Sequence, residues 1–109
     1  MALQLLHYEF KVEAPKRIPV EWGHYGVTGS GDLEVLFERQ DLNGAVRVKV
    51  ATPVKGFEHV WKKVLERFVT EFNLGDLSIE INDDNATPVV VYLRLRQGLV
   101  ETGFFKGEK

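Results

Sequence analysis

The chain has 109 residues, of which 44% are apolar and 28% charged, with a net charge of −2 and no cysteine. That length suits one domain spanning 1–109, able to bury a core but with little room for a deep substrate cavity. The composition is that of a soluble globular protein, mild acidity gives no general pull toward nucleic acid or anionic lipid, and the missing thiols exclude disulfides, cysteine catalysis and thiolate metal sites.

Met1 to Phe10 carries neither a basic leader nor a long apolar run, so it does not read as a signal peptide. No stretch reaches the roughly 18 apolar residues of a membrane span, and a cytoplasmic location is the expectation. The first element is a strand over Leu6 to Val12, where Leu6, Tyr8, Phe10 and Val12 alternate with His7, Glu9 and Lys11. Pro15 and Pro19 then give an extended, turn-rich link. A glycine-dense segment follows, with Gly23, Gly26, Gly29 and Gly31, and runs into a second strand marked by Leu33, Val35 and Phe37.

Asn43-Gly44 separates that strand from Val46, Val48 and Val50, the strongest short signal for a hairpin. The spacing therefore predicts that these two strands are antiparallel neighbours, with Arg47 and Lys49 opposite an acidic partner. From Gly56 to Asn73, the apolar positions Phe57, Val60, Trp61, Val64, Leu65, Phe68, Val69 and Phe72 make an i, i+3, i+4, i+7 helical stripe. Trp61, Phe68 and Phe72 are expected in the core, and Asn73 and Gly75 stop the helix. Leu77, Ile79 and Ile81 predict another strand.

The last segment has two readings. Val89, Val91, Leu93 and Leu95 alternate as in a strand, but Thr87-Pro88 is an N-cap followed by a first-turn proline. Val91, Leu95 and Leu99 also share a helical face, which favours a helix from about Thr87 to about Thr102. Residues 103–109 are expected to be a loosely held tail, in which Phe104-Phe105 could dock on the domain or on a partner. The expected fold class is α+β: a small, mainly antiparallel sheet against one long amphipathic helix, with a second helix at the C-terminal end.

No enzyme signature is present: no P-loop, no G-x-S-x-G elbow and no metal-type spacing of His7, His24 and His59. His7 and His59 fall on wet faces of a strand and a helix, as solvated histidines do. Asp32 and Glu34 share a strand face and offer a carboxylate pair for a small acid–base enzyme, although such residues usually only face water. Asp83-Asp84-Asn85 lacks the full calcium-loop pattern and reads as a turn closing a strand. Gly29-Ser30-Gly31-Asp32 remains. A serine between two glycines leaves its hydroxyl open to a modifying enzyme. On pattern alone an ordinary glycine-rich turn, with Ser30 bonding locally, stays ahead.

The sequence GVTGSGDLEVLFE around that turn, with the later INDDNATPVVVYLRLRQGLVE, resembles the acyl-carrier (delta) subunit of malonate decarboxylase. That family shows a GVVGSGDLEVL-type stretch early and an ATPGVVRLRLEQAL-type stretch late, and here the two stand in the same order across Gly26 to Glu101. The carrier of citrate lyase is similar in layout and is the near alternative; Gly29 and Leu33-Glu34-Val35-Leu36 favour the malonate version. Thr28 departs from the apolar residue expected there and adds a second hydroxyl. A binding module without a prosthetic group is the other alternative.

The resemblance implies that Ser30 bears 2'-(5''-phosphoribosyl)-3'-dephospho-CoA through a phosphodiester, with Gly29, Gly31 and Asp32 forming the supporting turn. It implies acetyl and malonyl thioesters on the arm of that phosphoprotein, and no catalysis by this chain. It implies partners: the acyl transferase and decarboxylase subunits, a prosthetic-group transferase and a malonyl transferase. Asp32 would orient the serine or meet a cationic partner surface.

Overall fold

The computed structural model describes residues 3–16, 21–26 and 29–103. Among them are five strands and two helices: β1 (Gln4–Lys11), β2 (Trp22–Gly26), β3 (Asp32–Arg39), β4 (Ala45–Thr52), α1 (Glu58–Phe72), β5 (Leu77–Asp84) and α2 (Pro88–Glu101). The strands form one sheet in the order β1-β4-β5-β3-β2. Neighbours are antiparallel except β4 and β5, which run parallel with α1 as their crossover. This is the expected α+β class with its mainly antiparallel sheet.

Period-two alternation puts Leu33, Val35 and Phe37 of β3, Val46, Val48 and Val50 of β4, and Leu77, Ile79 and Ile81 of β5 on one buried face. Trp61, Leu65, Phe68, Val69 and Phe72 of α1 cover that face with Val91, Leu95 and Leu99 of α2. Trp61, Phe68 and Phe72 are core residues, as expected. Phe57 and Val60, counted in the apolar stripe, instead remain partly open to solvent at the start of α1. Asn73 ends α1 in the left-handed conformation, with φ 54°, and its amide reaches back to the last turn.

The C-terminal segment is a helix. Its period-two pattern yields because Thr87 caps it, accepting from the Val90 N–H at 3.3 Å, while Pro88 sits where no amide partner is needed. β2 is an element that the sequence did not announce. Its Gly23 and Gly26 dilute the alternation, yet it pairs with β3 along its whole length. The tail beyond Gly103, with Phe104-Phe105, and part of the Pro15–Pro19 link lie outside the described residues.

The hairpin expectation needs correction. Asn43 and Gly44 do form a tight turn, both with positive φ (61° and 86°) and with the Ala45 N–H bonded to the Leu42 carbonyl at 3.1 Å. That is the type I′ pattern. The strands it joins are nevertheless not neighbours, because β5 lies between β3 and β4. The side chain of Asp76, just before β5, enters the mouth of the turn and accepts from the Leu42 and Gly44 amides at 2.9 and 2.8 Å. A strand as apolar on its inner face as Leu77, Ile79 and Ile81 belongs at the sheet centre, where both edges pair and the face is fully covered. Arg47 accordingly pairs with Glu9 of β1 at 3.4 Å, not with β3.

Candidate functional site

The β2–β3 connection carries Gly29-Ser30-Gly31-Asp32. The Asp32 amide donates to the Gly29 carbonyl at 2.9 Å, closing a four-residue turn, and Gly31 takes the positive φ (74°) that the third position of a type II turn requires. Ser30 sits exposed between them. Among the described residues, a Cβ built on Gly29 or Gly31 would meet no atom within 4 Å beyond its chain neighbours, so neither glycine is crowded by them. The Gly31 amide donates to the Asp84 carbonyl at 2.7 Å, which fixes the turn to the end of β5.

Asp32 faces its own chain. Arg94 of α2 donates from Nε to Oδ1 at 2.8 Å and from Nη2 to Oδ2 at 3.0 Å, a two-pronged fork on one carboxylate. The Leu33 amide adds a third donor at 2.8 Å. The hydrogen bonds from Arg94 hold the Asp32 carboxyl below its ordinary value, partial burial opposing and the Leu33 amide reinforcing them. The guanidinium is pushed up in turn by the same carboxylate. With 32% and 37% of the two side chains exposed, this is a half-wet pair whose strength comes from its geometry.

The remaining singled-out residues separate. Glu34 is 3.7 Å from His24 Nε2 and accepts from Asn82 Nδ2 at 3.2 Å. Asp32 is engaged with α2, so the two carboxylates serve different neighbours. His7 and His59 are exposed. Asp83 is buried at the close of β5 and accepts from the Thr52 hydroxyl at 2.8 Å and the Ala86 amide at 3.0 Å, a structural turn as read from the sequence. Thr28 lies outside the described residues.

The family model described as malonate decarboxylase delta subunit matches residues 21–102. The chain belongs to that family. It is an acyl-carrier subunit and not itself a catalyst. The malonate decarboxylase acyl carrier protein of Malonomonas rubra is 54% identical over 99 residues, covering 91% of this chain and 88% of the relative. That of Xanthomonas euvesicatoria is 42% identical, over 89% of this chain and 92% of its own. A chain in the crystal structure of a Pseudomonas malonate decarboxylase hetero-tetramer in complex with malonate superposes with a TM-score of 0.79 at 37% identity, covering 92% of this chain and 99% of that one. Among the described residues no helix is long and apolar enough to cross a membrane.

Sequence reasoning missed part of the candidate site. Arg94 and Gln97 lie more than sixty residues beyond the turn, yet Arg94 grips Asp32 and passes Nη1 to Gln97 Oε1 at 2.9 Å. The same oxygen receives the Tyr25 hydroxyl at 3.4 Å. Local spacing holds no sign of these contacts; an arginine on the face of a C-terminal helix was the available hint.

Proposed function

We propose that Ser30 is the acceptor for 2'-(5''-phosphoribosyl)-3'-dephospho-CoA and that the whole chain, 1–109, works as one carrier domain. The observation that supports this is an exposed serine on a tight turn whose flanking glycines meet no other described residue within 4 Å, in a chain of an acyl-carrier family. A bulky phosphodiester needs that clearance, which the absent Cβ atoms of Gly29 and Gly31 supply. The turn therefore fits the group.

In the attachment step the Ser30 hydroxyl oxygen attacks the α-phosphorus of a triphosphoribosyl-dephospho-CoA donor. The O–P bond forms, the bond to the leaving pyrophosphate breaks, and the hydroxyl proton passes to a base of the transferase or to water. When bound, the group supplies the thiol on which acetyl and malonyl units ride as thioesters. The protein's task is to present Ser30 on a rigid base and raise the effective concentration of the tethered substrate at each partner's site. The partners are the acyl transferase and decarboxylase subunits, the malonyl transferase and the prosthetic-group transferase, in the cytoplasm.

Intact-mass measurement tests the reading. Wild type incubated with the donor and its transferase gains the mass of one phosphoribosyl-dephospho-CoA, Ser30→Ala gains none, and peptide mapping finds the group on Ser30 and not on Thr28. No gain on wild type, with a transferase active on another carrier, removes the proposal.

A further inference from the structure

We propose that Arg94 and Gln97 of α2 form a clamp that holds both ends of the Ser30 loop, making Arg94 a positioning residue for prosthetic-group attachment. The inference rests on Ser30 being the acceptor. Two glycines beside an exposed serine leave the loop with more conformational freedom than other residues would. A transferase that must bring Ser30 Oγ in line with a phosphorus atom needs that freedom removed beforehand.

α2 does so from one short stretch. Arg94 fastens the exit of the loop through its fork on Asp32. Gln97, held by Arg94 Nη1, fastens the entrance through the Tyr25 hydroxyl, one residue before Gly26. The clamp has a firm footing. A Cβ built on Gly98 would lie 3.0 Å from Tyr25 Cβ and 3.2 Å from Phe37 Cε2, so α2 rests against β2 and β3 at close range. The fork has a second effect. The incoming donor is a polyanion, and an unpaired Asp32 two residues from Ser30 would repel it; Arg94 cancels that charge where the phosphates arrive.

A positioning role makes a kinetic statement. If loss of the fork leaves only a fraction of molecules with the loop in the engaged shape, apparent affinity falls by that fraction while the bound complex reacts normally. The measurement is steady-state attachment of the phosphoribosyl-dephospho-CoA group to the full chain by its transferase, for wild type, Ser30→Ala, Arg94→Ala, Asp32→Ala and the double variant. Arg94→Ala raises the KM for the carrier about tenfold with kcat within about twofold, and the double variant is no worse than Arg94→Ala alone. Arg94→Lys, which keeps the charge but not the fork, retains most of the KM defect and stands in if the alanine variant fails to fold. Hydrogen exchange at the Gly31 and Asp32 amides speeds up in the variants while the centre of β5 stays protected. Unchanged KM in Arg94→Ala, a loss confined to kcat, or effects of Asp32→Ala and Arg94→Ala that multiply would each overturn the clamp. Failure of wild type to gain mass, or gain by Ser30→Ala, would instead overturn the acceptor assignment.

Discussion

Two carboxylates show how single residues add acid sensitivity to this fold. Asp32 is held down by Arg94, and Asp76 by the Gly44 and Leu42 amides, with nearby Lys11 adding to the effect. Both folded values lie below the ordinary aspartate value of about 3.9. A depressed folded value means that the contribution to stability is complete above about pH 4 and is lost as pH falls through the lower folded value. The melting temperature is therefore expected to fall on going from about pH 5 to about pH 2.5. Asp76→Asn, which retains an acceptor but no charge, should flatten the slope; an unchanged slope would show that the turn does not draw on the ionised form. At the same scale, the open turn around Ser30 was legible in the sequence because its flanking glycines are local features, while its reading as an acceptor came from the family resemblance of the surrounding stretch. Arg94 was not, because a residue and its partner 62 positions away share no periodicity.

At the scale of elements, α2 and its neighbours are matched by missing side chains. A Cβ built on Gly23 would lie 2.5 Å from Thr102 Cβ, closer than any real contact, and Thr102 cannot swing aside because the near atom is its own Cβ. Gly23→Ala should push the end of α2 off β2 and destabilise by about 1–3 kcal/mol, as overpacking does. Urea denaturation measures it, and a change under about 0.5 kcal/mol would mean that the helix end adjusts freely. Both helices were readable, each from an apolar stripe and its end signals. β2 was not, since Gly23, which admits the end of α2, and Gly26, which lies close on the β3 backbone, erase the alternation by which a strand is recognised. The hairpin reading succeeded on the turn and failed on the pairing. Asn43-Gly44 dictates the bend, but where the two strands travel afterwards depends on what comes to lie between them.

For the molecule as a whole, β5 is the organising strand. It pairs with β3 on one edge and β4 on the other, and its Leu77, Ile79 and Ile81 belong to the same buried cluster as the inner faces of both helices. Amides at the centre of β5 should exchange slowest of all, opening only with global unfolding, while β2 at the sheet edge exchanges through local opening. Native-state hydrogen exchange checks this, and faster exchange in β5 than in β2 would contradict the arrangement. The design suits a carrier: the rigid part is central, and the candidate acceptor stands at its rim on a turn bonded to the end of β5 through Gly31 and Asp84.

The amino-acid order alone determined the α+β class, the inward faces of β1, β3, β4 and β5, the bounds of α1 and α2, and the open serine turn, because each follows from a short-range period or from a residue's own φ preference. Tertiary structure alone decided that β5 enters between β3 and β4, that β2 is a strand, and that Arg94 meets Asp32. Those outcomes depend on which apolar surfaces bury one another across the chain, and a local pattern shows that a face must be covered without showing by what.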